Sequence, residues 1–298
     1  MSVDVETLFT IIYVLVDDWY QTEGKKLLEG KRGRKAKFSD SEVITLLLAM
    51  DFIPFPSESQ YLAFIRANYL HLFPELIDQS QFNRRIRALR LLVEELRKHW
   101  MEMLNVEFER FFLLDTKPVP VVGYKRSKKN SNFRDSGAYG YCESRQMHYF
   151  GYKLVMITTL DGIPIAYELV PANTDERVAA NEVLDSVNNS DIYGDKGFIG
   201  QDWQKEQRNL SGNRVWTSKR KNQKEQNPPA FDSLLNRVRE RIEGVFNEIQ
   251  NTGRQLERFV CKTVEGLATH VIAKVTSYTL KLLLRHLYQL DVQTFSTM

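Results

Sequence analysis

A chain of 298 residues with a formal net charge of +3 is long enough for one extended core or two smaller ones, and its charge is too small to establish a nucleic-acid partner by itself. With 43% hydrophobic and 27% charged residues the composition is ordinary for a globular protein. Cys142 and Cys261 lie far apart with no CxxC pair and no neighbouring histidine, which argues against a zinc site and fits a reducing cytosol.

The first apolar stretch, residues 8–16, has about half the length of a membrane span. Asp4 and Glu6 precede it and Asp17-Asp18 follow it, the wrong flanks for a signal peptide, so it reads as an amphipathic helix of a cytoplasmic protein. A Gly-punctuated basic loop covers residues 29–37. Ser39-Asp40-Ser41-Glu42 then has the form of a capping box, in which the Ser and Glu side chains satisfy free N–H groups of the first helical turn. Pro54 and Pro56 stop that helix, and Ser57-Glu58-Ser59-Gln60 looks like a second capping box. A longer helix is expected from Ser80 towards Leu104, with Phe82, Ile86, Leu89, Val93 and Leu96 as its apolar stripe. Arg84, Arg85, Arg87 and Arg90 crowd its first half. The cluster fits a helix-turn-helix-like DNA reader, or a helical bundle with solvated arginines. Residues 1–104 thus form an all-helical N-terminal domain.

From residue 108 the pattern changes. Residues 110–114 are a short apolar run, as in a strand buried on both faces. Runs 149–160 and 163–170 meet at Asp161-Gly162, a strong hairpin signal. A helix over 175–187, a strand over 191–194, a helix over 200–208, a strand over 213–218 and a long helix over 232–250 complete a mixed α/β sheet flanked by helices.

Three acids stand at informative places in this order. Asp115 ends the first apolar run, and the Thr116-Lys117-Pro118-Val119-Pro120 that follows is extended, so Asp115 is no helix cap. Asp195 follows the short strand 191–194. Stepping about 100° per residue, Leu235, Val238, Ile242, Val245, Phe246 and Ile249 form the buried stripe of the last helix, with Glu243 at its border and Arg239 one turn earlier. Two Asp at strand ends and a Glu on a later helix can hold a pair of Mg²⁺ ions, the arrangement that cuts and joins phosphodiesters. Each acid alone also fits a turn, a cap or a surface i,i+4 pair.

Taken together, these stretches resemble the DDE transposases of bacterial and archaeal insertion sequences, within the IS4/IS5-like superfamily and most closely the IS982 family. The matching stretches are residues 113–120, Tyr139-Gly140-Tyr141, Tyr152-Lys153-Leu154, residues 194–200 and residues 239–243, with His71-Leu72-Phe73-Pro74 and residues 81–85 upstream. The resemblance implies an RNase H-like catalytic domain over 105–298, including C-terminal helices. It implies a catalytic, metal-holding triad of Asp115, Asp195 and Glu243, with two Mg²⁺ ions for which Mn²⁺ substitutes. It further implies terminal-repeat and target duplex DNA as partners, assembly as a homodimer on DNA, and no membrane. Two departures from the family stand out: Asn236 and Gln250 replace the Tyr and Lys usual on the final helix, and Thr116 replaces a frequent Ser.

DNA must be held by cations. Lys125, Arg126, Lys128 and Lys129, with Arg134 after them, lie between the first acid and the hairpin, while Lys219, Arg220 and Lys221 precede the final helix. With Arg239 and with Arg84, Arg85 and Arg87 they are the DNA-binding candidates, and contacts of this kind set affinity and register rather than sequence. A host-adopted nuclease that cuts without joining, or a catalytically silent DNA-binding remnant, would carry the same fold.

Overall fold

A computed structural model describes residues 3–28, 36–122, 131–143, 145–219, 226–256 and 261–295. The chain divides into a helical unit, residues 1–104 with 249–298, and a sheet unit, residues 105–248. No helix among the described residues is long and apolar enough to cross a membrane.

The helical unit is built from α1 (Val5–Trp19), α2 (Asp40–Ala49), α3 (Glu58–Asn68), α4 (Gln79–Met103) and α8 (Val264–Tyr288). Local chemistry sets its helix starts. Ser39 and Glu42 form the reciprocal capping box expected at α2. Ser57 caps α3 by accepting from Gln60 N, a one-way cap. The start of α4 lies slightly earlier than the sequence suggests, because Asp78 rather than Ser80 caps it, in a box with Gln81. The whole predicted stripe of α4 is buried, in one cluster with Leu8, Ile12 and Val16 of α1 and Leu280, Leu283 and Leu284 of α8. Residues 249–298, read from sequence as part of the catalytic domain, thus join the N-terminal helices, because the apolar face of α8 packs on α4 and α2. Asp51 sits inside this unit, 2.9 Å from Arg254 and 3.3 Å from Lys274.

In the sheet unit the strands are β1 (Phe111–Val122), β2 (Ala138–Cys142), β3 (Met147–Thr159), β4 (Pro164–Pro171), β5 (Asp191–Gly194) and β6 (Arg214–Thr217), with α5 (Glu176–Leu184), α6 (Gln201–Ser211) and α7 (Pro229–Asn251). β3 is the hub. It pairs antiparallel with β1 along one edge, and on the other edge with β2 over its first half and β4 over its second. β5 and β6 continue the sheet beyond β1 and run parallel to it. This is the mixed sheet flanked by helices that the sequence predicts. Gly162, at φ +87°, turns the β3–β4 hairpin in a conformation that favours glycine. The β1–β5 ladder stops at Leu114 and Gly194, so among the described residues no strand pairs with that edge of the rest of β1, where Pro118 and Pro120 are tolerated. α5 covers one face, its Ala179, Ala180, Val183 and Leu184 packing with Phe112, Leu114, Val155 and Ile157.

Candidate active site

The parallel ladder brings the two aspartates together. Leu114 of β1 is paired with Gly194 of β5, and Gly194 with Thr217 of β6. Asp115 and Asp195 are the next residues in sequence, so both stand just past the end of the β1–β5 ladder; Asp115 is mid-strand rather than at the strand end the sequence suggested, because β1 continues against β3 to Val122. Lys219 follows β6 at the same end of the ladder. One oxygen of each carboxylate is fixed by backbone: Asp115 Oδ1 accepts from Thr116 N at 2.8 Å, and Asp195 Oδ1 accepts from Lys196 N.

Glu243 reaches the site from α7. The stripe Leu235, Ile242, Val245 and Phe246 is buried, and Arg241 donates to Leu160 O at 2.9 Å, anchoring the helix to the hairpin. Glu243 borders that stripe with its side chain 60% exposed. Arg239, one turn earlier, lies 3.2 Å from Asp195 Oδ2 and 3.5 Å from Glu243 Oε1. A guanidinium therefore stands between the second and third acids. As they stand, no three acids, histidines or cysteines among the described residues are grouped closely enough to hold a metal ion.

Electrostatics single out Asp115. Desolvation by the surrounding protein pushes its pKa up to about 7; the Thr116 N–H and Arg239 oppose that rise, while Asp195 and Glu176 add to it. A carboxyl crowded by other acids gains from any cation placed beside it. The donor set is carboxylate oxygen, which suits a hard divalent ion such as Mg²⁺ or Mn²⁺, and Arg239 already supplies a positive charge between Asp195 and Glu243. The chemistry of the donors, rather than their present spacing, suits such ions.

A family model for the transposase DDE domain matches residues 107–280. The chain belongs to the DDE transposase family. No curated protein and no solved structure matches it. The transposase family acts on DNA and generally uses divalent metal ions.

The other predicted DNA contacts fall in several places. Arg134 is exposed beside Asp135, at 3.4 Å. Arg84 and Arg85 line a cavity of about 540 Å³ with Lys37, Phe38 and Glu75. Within it Arg85 is engaged, donating to Phe38 O and pairing with Asp40 at 2.5 Å. Arg87 lies near Gly266 of α8, and Arg90 pairs with Glu265 at 2.9 Å. Lys125, Arg126, Lys128, Lys129, Arg220 and Lys221 lie outside the described residues.

Sequence reasoning missed Glu176, the first residue of α5. Its Oε2 accepts from Thr116 Oγ1 at 2.8 Å and its Oε1 from Lys153 Nζ at 2.9 Å. Lys153 stood in one of the matching stretches, but its acidic partner looked like any helix-starting glutamate.

Proposed function

We propose that the chain is an insertion-sequence transposase of the IS982 kind, which cuts DNA at its element's ends and joins the freed 3′ ends to target DNA. The observation that carries this reading is the placing of Asp115 and Asp195 one residue past the end of the β1–β5 ladder, with Arg239 linking Asp195 to Glu243. In this reading Asp115, Asp195 and Glu243 hold the metal. Two bound Mg²⁺ or Mn²⁺ ions would neutralise charge on the attacking and leaving oxygens of an in-line displacement.

The chain's own contribution is preorganisation. The backbone N–H groups of Thr116 and Lys196 hold one oxygen of each aspartate, so little side-chain freedom is lost when a cation is taken up. Arg239 pairs with both Asp195 and Glu243; with a divalent ion held by those carboxylates, its charge would be available to a DNA phosphate. Lys219, which follows β6, carries a further positive charge towards the DNA. Water serves as nucleophile in cleavage and the 3′-hydroxyl in joining, so one site serves both steps. Terminal repeats and target are duplex DNA, and a pair of chains assembles on them.

The test uses the full chain, supercoiled plasmid and Mn²⁺. Asp115→Asn should bind the plasmid as well as the parent, or better, because a negative charge facing phosphate is gone, yet nick none of it. Joining of a labelled oligonucleotide 3′ end to plasmid reads the second step. Nicking by Asp115→Asn at the parental rate would refute the reading.

A further inference from the structure

We infer that Glu176 is a positioning residue of this site: by holding the Thr116 hydroxyl, it fixes the backbone that carries Asp115 against the turn that carries Asp195. The inference rests on the proposed metal-holding role of those aspartates.

The need for such a device follows from the sheet. The β1–β5 ladder ends at Leu114 and Gly194, one residue short of both acids. Backbone pairing between these two strands therefore does not set the separation of the carboxylates. Glu176 stands at the start of α5 and touches both sides of the gap. On the β1 side its Oε2 takes the hydrogen bond from Thr116 Oγ1 at 2.8 Å. On the β5 side its side chain lies against Gly197, two residues after Asp195. A Cβ built at Gly197 would come within 2.9 Å of Glu176 Cγ, so the turn approaches that closely because position 197 has only a hydrogen.

Lys153 of β3 holds the carboxylate from behind, donating to Glu176 Oε1 at 2.9 Å and to Thr174 O at 2.8 Å. Each carboxylate oxygen thus has its own donor, and its direction is set. Side chains alternate along a strand. Thr116 shares the α5 face with Phe112 and Leu114, while Asp115 points to the other face. Glu176 therefore meets Asp115 through the backbone of residues 115–116, besides the like charge that crowds the Asp115 carboxyl.

Outer residues that orient metal ligands are typically worth about 10–100-fold in metal affinity or activity. Thr116→Val keeps the shape and removes the donor. In the full chain it should weaken Mn²⁺ binding, measured calorimetrically without DNA, or slow plasmid nicking at saturating Mn²⁺, by about that factor. Glu176→Gln should do the same, since an amide cannot accept from both donors. Thr116→Ser should recover most of the loss, and thermal melting of the two Thr116 variants should be nearly unchanged. The inference fails if Thr116→Val matches the parent in both readouts, or if Thr116→Ser is as impaired as Thr116→Val. Asp115→Asn separates the two readings. If it abolishes nicking while Thr116→Val changes nothing, only the role of Glu176 is lost. If it still nicks, the site assignment falls and this inference with it.

Discussion

Replacing Asp51 by Asn keeps the size of the side chain and removes a carboxylate shared by Arg254 and Lys274 at 2.9 and 3.3 Å. The three side chains are 5%, 12% and 2% exposed, so water cannot readily replace the lost charge. Removing one partner from a buried ion pair costs about 3–5 kcal/mol. A ceiling comes from proton release: at pH 7.5, neutralising a lysine of ordinary pKa 10.4 costs about 4 kcal/mol. The two figures agree, and the second adds a signature. At pH 9.5 the same escape costs only about 1 kcal/mol, so the penalty should shrink by more than half, short of vanishing because Arg254 stays charged. Urea denaturation followed by fluorescence reads it. Trp19 and Trp100 are buried in the helical unit, and replacing Trp203 and Trp216 with Phe confines the signal to that unit, which matters because two units need not unfold together. A loss below about 1 kcal/mol, the scale of an exposed pair, would refute the reasoning. A penalty unchanged between the two pH values would refute the part assigned to Lys274.

Burial, with help from Arg254 and Lys274, lowers the pKa of His270 to about 3. The unfolded chain takes up that proton near pH 6.5 and the folded chain does not, so stability is full above about pH 6.5 and falls as pH drops towards 3. Asp51 is held below the usual carboxylate range, burial being outweighed by Arg254 and Lys274, and adds a further loss below about pH 4. His270→Gln should flatten the slope between pH 6.5 and 4 in fluorescence-detected melts; an unchanged slope would assign it elsewhere. Arg239→Ala should leave Mn²⁺ uptake intact or tighter, because the charge competing for Asp195 and Glu243 is gone. Its affinity for duplex DNA should fall, with a salt slope smaller by about 0.9 for one lost phosphate contact. An unchanged slope would confine Arg239 to holding the acids.

Local signals carried much of the fold. Asp191–Gly194 is a strand with the bounds its sequence suggests, and the Asp161-Gly162 turn joins β3 to β4. Both depend on short-range chemistry. β2, by contrast, is a five-residue strand with Gly140 at its centre, and only pairing with β3 makes it one. The buried stripe of α8 gave no hint that its partner would be α4, far earlier in the chain. Among the site residues, Asp195 was visible at a strand end, Asp115 at the end of an apolar run and Glu243 at the border of a helical stripe; that β1 runs on past Asp115 to Val122 depends on its pairing with β3. The Arg239–Glu243 pair was legible as an i,i+4 spacing, whereas the contact of Arg239 with Asp195 exists only after the sheet and α7 have met. Glu176 was invisible for a different reason. An acid in the first turn is what any helix favours, so nothing local distinguishes it from a plain helix start.

The helical unit is assembled from two stretches of chain separated by the whole of the sheet unit, which has a consequence for its synthesis. The sheet unit is continuous and can fold as it leaves the ribosome. α1–α4 are made first, yet they wait for α8 to cover the apolar face of α4. At about 5–20 residues per second that wait lasts on the order of 10 s or more. During it the face that will meet Leu280, Leu283 and Leu284 is open to other partners. A chain interrupted inside the sheet unit would leave the N-terminal helices permanently uncovered. A fragment ending at residue 104 is such a chain, so DNA binding by these helices should be measured with residues 249–298 present.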